Sequence, residues 1–371
     1  MSKDLRKHTV KITFDNRERA RDVIKVLGRC RYFPEKIPAL DELTRLLRLP
    51  KNSISLALED LEKANVIKPS QDLLGYHYNA NPSESIAGEV GFFVNIDLFE
   101  SWSSVFQDWL MGVNDIMSTA GYHIRVSNSF KGIEDKMVQV QQLWDRGVSG
   151  FVFASHTESP IREYITQANI PAVILSNATV NQQDIGSVSS DNRRGVEKMV
   201  SHLMENNHKR IFFYGSDLRE NEGFILRMRA FEQSMRLAGL DYHAKIIFEE
   251  PYNPTLASKA IADIKNMDTR PTAVICASDR EAFDLVSEFK RSGLKIPEDI
   301  SVTGYANSHY CHVLQPAMTT INIHGRKMGQ IAANYLLNEL QSPQFPVKIL
   351  VPTDLIIRES TAPLEKSRCV S

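Results

Sequence analysis

The sequence predicts an α/β protein with a winged helix-turn-helix at its N-terminus and a two-lobed large domain of doubly wound parallel sheets. Three observations support this fold class. A polar stretch with a proline at 80–88 divides the 371 residues. Amphipathic helices and two short β-prone pieces precede it, and apolar runs alternating with longer amphipathic stretches follow it. We therefore expect an N-terminal domain over 1–79, a linker over 80–88 and a large domain over 89–371.

The N-terminal elements are short and closely spaced. The pattern indicates helices at 17–30, 40–47 and 51–64, followed by β-prone pieces at 66–69 and 76–79, with Gly75 between the two pieces. Three helices and a small hairpin are typical of a winged helix-turn-helix.

The large domain contains continuous apolar runs separated by helical candidates. The runs lie at 90–96, 123–126, 150–154, 172–175, 210–214, 245–248, 273–276 and 300–304. Such strands alternating with helices predict parallel sheets covered on both faces. Ligands bind at the carboxyl ends of strands in these folds, so the cleft between the lobes is the expected pocket.

The formal net charge of -1 conceals an uneven distribution. Residues 1–80 carry 16 Lys and Arg against 11 Asp and Glu, which leaves 28 against 34 for the rest. A basic N-terminal part suits binding to a polyanion such as DNA. An ordinary uneven spread of surface charge is the alternative.

Several classes of protein lack support in the sequence. No apolar run is long enough to span a membrane, and the charged N-terminus does not resemble a secretory signal, so we expect a cytoplasmic protein. The four cysteines are far apart and show neither a disulfide framework nor a zinc-ligand spacing. We find no phosphate-binding loop or hydrolase motif, and therefore expect no catalysis, metal or cofactor.

The helix at 51–64 has two different faces. One face carries Ile54, Ala57, Leu58 and Leu61, and is expected to pack inward. The opposite face and the N-terminal end carry residues suited to phosphates and base edges, because Lys and Asn donate hydrogen bonds and Glu accepts them from cytosine. The expected DNA-binding residues are Lys51, Asn52, Ser53, Ser55, Leu56, Glu59 and Lys63.

This region resembles the winged helix of the GntR family of bacterial regulators over about 65 residues. The residues in register are Pro38, Leu43, Leu49, Asn52, Ile54, Ala57, Leu58, Leu61 and Ile67. Asp41, Lys51 and Ser55 stand where that family usually has DNA-contacting arginines. The resemblance implies DNA binding, but not the family's own contacts. A winged helix that mediates only protein contacts is the alternative.

The large domain resembles the effector domain of the lactose/galactose-repressor family, which is similar in fold to periplasmic sugar-binding proteins. The strongest match runs over 270–304, and further matches include SDNRRG at 190–195 and RMRAF at 227–231. The resemblance implies a small-molecule effector bound between the lobes. Expected ligand-binding residues are Asp97, Trp102, Phe106, Arg227, Tyr252, Asp279, Tyr305 and Asn307.

Alternatives remain open for several of these residues. Asp279 follows a strand and begins a helix, where it could accept ligand hydroxyls or simply cap the helix. Trp102 and Phe106 could stack on a sugar ring or nucleobase, and core packing is at least as good an explanation for Phe106. Arg227 could instead form a surface salt bridge, and Tyr252 could face solvent.

One departure weakens the assignment of a sugar. The family usually has one or two Asp residues after the tyrosine, whereas this chain has Ala306 and Asn307. A hydroxyl-rich ligand loses a strong acceptor here, so a modified sugar or another metabolite is the alternative.

Together these patterns predict a ligand-responsive transcriptional regulator, most simply a repressor. Its expected partners are a roughly palindromic double-stranded operator, a small-molecule effector and a second copy of the chain. A solute-binding receptor without DNA-binding activity is the alternative, since the large domain would serve it equally well.

Overall fold

The computed structural model describes most of the chain. The described residues are 16, 17, 20, 21, 24, 36–63, 66–70, 75–78, 88–94, 99–128, 132–154, 157–175, 184–216, 222–240, 242–247, 255–342 and 345–364. Within these residues, no helix is both long and apolar enough to cross a membrane.

The described residues of the N-terminal part include two helices and a three-stranded antiparallel sheet. The elements are β1 (Ile37–Pro38), α1 (Leu40–Leu47), α2 (Lys51–Lys63), β2 (Ile67–Pro69) and β3 (Gly75–Tyr78). The strand order is β1-β3-β2, so β3 pairs with both neighbours. The two predicted β-prone pieces form β2 and β3, and the structure adds β1. Most of the helix predicted at 17–30 lies outside the described residues.

A small apolar core holds these elements together. Its residues are Ala20, Ile24, Ile37, Leu43, Ile54, Ala57, Leu58, Leu61 and Ile67, each at most 2% exposed. The four residues predicted to face inward from α2 are all among them. The predicted amphipathic pattern of this helix is therefore confirmed.

The first lobe of the large domain is a six-stranded parallel sheet of order β14-β8-β7-β6-β4-β5. Its strands are β4 (Gly88–Val94), β5 (Tyr122–Asn128), β6 (Gly150–Phe153), β7 (Ala172–Leu175), β8 (Gly186–Ser190) and β14 (Lys348–Val351). Its helices are α3 (Phe99–Thr119), α4 (Ile133–Asp145), α5 (Ser159–Gln167) and α11 (Gly325–Gln341). β4 begins at Gly88, and the rest of the predicted linker lies outside the described residues.

The second lobe is a four-stranded parallel sheet of order β10-β9-β11-β12. Its strands are β9 (Ile211–Ser216), β10 (Tyr242–Ile247), β11 (Ala273–Cys276) and β12 (Ser301–Thr303). Its helices are α6 (Asn192–Glu205), α7 (Glu222–Leu237), α8 (Thr255–Asn266), α9 (Asp279–Arg291) and the short α10 (Tyr310–Val313). The predicted class of two doubly wound lobes is confirmed.

The chain passes between the lobes at three places in the described structure. It leaves β8 for α6, returns from β13 (Thr320–Asn322) to α11, and leaves β14 for β15 (Asp354–Ile356). β13 and β15 pair antiparallel, and the backbone N–H of Asp191 donates to the carbonyl of Val351 at 2.9 Å. These bonds join the three crossing segments to one another.

The helices α3 and α11 cross at very short range because glycines line the crossing. A Cβ at Gly329 would lie 2.3 Å from the carbonyl oxygen of Trp109, and one at Gly112 would lie 2.0 Å from the carbonyl oxygen of Arg326. Beside the crossing, Arg326 donates two hydrogen bonds to Asp115, at 2.7 and 2.8 Å. Only glycine permits this approach.

Candidate functional site

The outer face of α2 is the first candidate site. Lys51, Asn52, Leu56, Glu59 and Lys63 are exposed there. The two serines, Ser53 and Ser55, are half-buried. The structure thus presents the predicted DNA-binding residues along one side of the helix, which is the arrangement that insertion into a major groove requires.

The N-terminal end of α2 is electrostatically mixed. The carbonyl of Pro50 accepts the N–H groups of Ser53 and Ile54, at 2.9 and 3.2 Å. The first turn contains no acidic residue. The nearest negative charge comes from α1, where Asp41 Oδ1 lies 2.5 Å from Lys51 Nζ. The Lys51 ammonium lowers the pKa of Asp41 from its ordinary value, so this carboxylate remains charged.

The second candidate site lies where the carboxyl ends of the second-lobe strands meet the first crossing. Arg227 projects from α7 and is only 8% exposed. Its Nε donates to Asn192 Oδ1 at 2.8 Å, and its Nη1 donates to the carbonyl of Ala277 at 2.7 Å. The guanidinium also lies over the Tyr305 ring, 3.9 Å from the ring centroid.

The charge of Arg227 is costly in this position. Burial lowers the pKa of its guanidinium, since the charged form loses hydration. Its two hydrogen bonds use Nε and Nη1. The carboxylates of Glu281 and Asp279 act on the guanidinium through their charge and offset part of this cost. Tyr305 is 1% exposed, and its hydroxyl has no hydrogen-bond partner in the described structure. The site therefore holds a desolvated cation with spare donor capacity.

Asp279 lies at the start of α9 and is 2% exposed. The helix cap is the neighbouring Ser278, whose Oγ accepts the N–H groups of Arg280 and Glu281. Asp279 instead accepts from the backbone N–H of Ser308 and the hydroxyl of Thr320, both at 2.6 Å. Both carboxylate oxygens thus bind protein groups, so a ligand hydroxyl would have to compete with them. The simple helix-cap alternative is wrong, because Ser278 has that role.

Asn307 lies on the loop after β12 in a left-handed conformation, with φ of 56°. Its Oδ1 accepts a hydrogen bond from Arg358 Nη2 at 2.8 Å. The preceding residue, Ala306, also has a positive φ, at 120°, which residues other than glycine rarely adopt. The oxygen of the Asn307 amide is engaged, which leaves its Nδ2 as the group available to a ligand.

The remaining predicted ligand residues have different outcomes. Phe106 is 7% exposed and packs edge to face against Trp109, with ring centroids 5.4 Å apart. This contact favours the core-packing alternative for Phe106. Trp102 lies in α3, but its side chain is outside the described part of the structure, as are Asp97 and Tyr252 altogether.

The structure adds Asn192 to the candidate site. This residue is 6% exposed and begins α6, directly after the first crossing. Asp191 caps that helix by accepting the N–H of Arg194 at 3.0 Å, which fixes the position of Asn192. The signal was present in the SDNRRG motif, but only the fold shows that Asn192 faces Arg227.

Among the described residues, no group of three His, Cys, Asp or Glu side chains could hold a metal ion.

Comparisons with known proteins agree with this architecture. Residues 200–361 match the family of periplasmic binding protein-like domains. The regulator NtdR of the NTD biosynthesis operon of Bacillus subtilis is 24% identical over 344 residues, covering 88% of this chain and all of the relative. The transcriptional repressor PurR of Vibrio vulnificus is 26% identical over 264 residues, covering 70% of this chain and 78% of the relative.

Solved structures show the same fold for the large domain. A LacI family transcriptional regulator from Enterococcus faecium with bound ribose superposes with a TM-score of 0.63 at 24% identity. The match covers 75% of this chain and all of that one. The two-lobed domain described above therefore has the same fold as that regulator.

Proposed function

We propose that this chain is a ligand-responsive, DNA-binding transcriptional regulator of the LacI family, acting as a repressor. The observation that carries the proposal is the combination of two sites in one chain. An amphipathic helix presents an exposed polar face in the N-terminal part, and a buried arginine with spare donor capacity lies beside the lobe crossings.

The DNA-binding part is a GntR-type winged helix in this proposal. Two helices joined at Arg48–Pro50 and a three-stranded antiparallel sheet support it. The basic excess of the first 80 residues supplies the sequence-independent attraction to phosphates. In a homodimer, two such helices would read half-sites one helical turn apart or further. Such a protein acts where the DNA is, in the cytoplasm, and needs no catalytic group.

The effector is a small metabolite such as a sugar, bound between the lobes and held by Arg227. The ribose in the Enterococcus faecium regulator and the repressor relatives support this assignment. A ligand changes DNA affinity only if it binds one arrangement of the lobes more tightly than the other. The three bonded crossings provide the hinge for two such arrangements.

A solute-binding receptor is the weaker candidate. The relatives that match most of this chain, over 88% and 85% of it, are named as regulators. The exposed face of α2 also has no role in a transport receptor.

Selection from random-sequence duplexes tests the proposal. The full-length protein should enrich a pseudo-palindromic sequence, and a Lys51→Ala/Asn52→Ala variant that unfolds at the same temperature should not. Equal enrichment by both proteins would remove α2 from DNA recognition. Absence of enrichment by the unchanged protein would contradict the DNA-binding function.

A further inference from the structure

The ion pair between the two exposed helices of the N-terminal part has a consequence for DNA specificity. Asp41 is the second residue of α1, and Lys51 is the first residue of α2. Their side chains are 75% and 60% exposed, and their charged atoms lie 2.5 Å apart. The carboxylate thus lies on the surface that α2 offers to DNA.

We propose that Asp41 is a specificity-determining residue, which restrains Lys51 and weakens binding to non-cognate duplex DNA. This inference rests on the proposed DNA-binding function and assigns to Asp41 a role that lowers the affinity for non-cognate DNA. Specificity is a difference between affinities, and a group that disfavours the wrong partner increases that difference.

The restraint acts through two electrostatic effects. A DNA phosphate that approaches Lys51 must displace the Asp41 carboxylate from the ammonium group. A phosphate that binds beside the pair then lies close to a second negative charge, and like charges at such range repel each other. Both effects are independent of sequence, so they weaken contact with any duplex.

A cognate site can offset this penalty. A carboxylate accepts a hydrogen bond from the N4 amino group of cytosine in the major groove. An operator with a cytosine opposite Asp41 would satisfy the carboxylate after Lys51 has moved to a phosphate. Asp41 would then favour that operator over duplexes that lack the cytosine.

The neighbouring charges do not provide the same restraint. Arg45 on α1 is exposed and interacts with Asp41 through its charge, without a hydrogen bond between the two. On α2, Glu59 Oε2 lies 3.9 Å from Lys63 Nζ, two turns further along the helix. Among the ion pairs described, the pair of Asp41 with Lys51 is the one at the start of the proposed recognition helix.

Fluorescence anisotropy with a scrambled duplex, measured from 50 to 200 mM salt, tests the proposal with the full-length protein. Asp41→Asn should tighten binding, and the gain should be roughly threefold larger at 50 mM than at 200 mM salt for each additional phosphate neutralised, because each phosphate adds about 0.9 to the salt slope. The slope of log K against log salt should steepen by about 0.9 for each additional phosphate that the protein neutralises. Asp268→Asn, the same charge change at an exposed position of the large domain, should leave both quantities unchanged.

A second pair of variants isolates the role of Lys51. In a Lys51→Met background, Asp41→Asn should tighten binding much less, because the ammonium group that it releases is absent. If Asp41→Asn increases the affinity as much in that background as in the otherwise unchanged protein, Asp41 does not act by restraining Lys51. An unchanged or weaker affinity of Asp41→Asn alone would overturn the proposal while leaving the DNA-binding function intact. If the unchanged protein does not bind the duplex even at 50 mM salt, the proposed function itself fails.

Discussion

Replacing Arg227 with methionine should uncouple effector binding from DNA binding. Methionine keeps much of the side-chain volume but removes the charge and all the donors. The arginine makes two hydrogen bonds to protein groups, at 2.8 and 2.7 Å, and neither of them uses its Nη2. A hydrogen bond to a charged group contributes about 1.5–3 kcal/mol, so effector affinity should fall roughly 10- to 150-fold.

The stability of the variant should change much less. The substitution leaves Asn192 Oδ1 and the Ala277 carbonyl without their donor, at a cost of about 1–3 kcal/mol each. It also removes a buried cation, whose desolvation costs several kcal/mol. These effects oppose each other, so we expect the free energy of unfolding to change by about 2 kcal/mol or less.

The assay is a titration of the operator complex with whichever metabolite raises the thermal midpoint of the unchanged protein. Arg210→Met is a matched control, since Arg210 is on the same lobe but donates to the carbonyl of Arg270 near the surface. Arg227→Met should bind the operator normally and require a higher effector concentration. An effector response equal to that of the control would refute the role of Arg227 in the pocket.

Three further perturbations follow from the geometry. Lys51→Ala/Asn52→Ala should weaken operator binding by at least about tenfold without changing the thermal midpoint of the large domain; unchanged affinity in an anisotropy titration would reject α2 as the recognition helix. Gly329→Ala should lower the free energy of unfolding by about 1–3 kcal/mol in a urea titration, because its Cβ would lie 2.3 Å from a backbone oxygen; no loss would show that α3 and α11 separate easily. Burial lowers the pKa of His208 and His202 below the usual histidine value of 6.5, so the unfolded chain binds more protons than the folded chain in this range. The free energy of unfolding should therefore fall as the pH decreases from about 7 toward about 5. His208→Gln should flatten this decrease, and an equally steep curve for the variant would contradict the reasoning.

Local patterns in the sequence predicted the elements that depend on short-range periodicity. The inward face of α2 follows from apolar residues three and four positions apart, and the buried strands follow from runs such as the one at 273–276. The strand β8 was not predicted, because GSVSS contains one large apolar residue. Its partner β14 lies more than 150 residues away in the chain, which local periodicity cannot reveal.

In the candidate effector site, too, the sequence predicted local features but not contacts between residues distant in the chain. The motif around Arg227 identified the arginine, but its contacts join α7 to the start of α6 at Asn192 and to Ala277, the residue after β11. The buried surroundings of Asp279 depend on Thr320 and Ser308, which reach it only after the second lobe folds. Sequence patterns indicated which residues matter, whereas the hydrogen-bond partners that determine what each can do required the tertiary structure.

Reciprocal linkage between DNA and effector is the most direct test of a ligand-responsive regulator. The effector affinity of the full-length protein should be measured by calorimetry with and without saturating operator, and the operator affinity with and without saturating effector. We predict that each ligand changes the affinity of the other by the same factor, typically about 5- to 150-fold. Equal effector affinity in the presence and absence of operator would contradict this coupling, because the two sites would then be energetically independent.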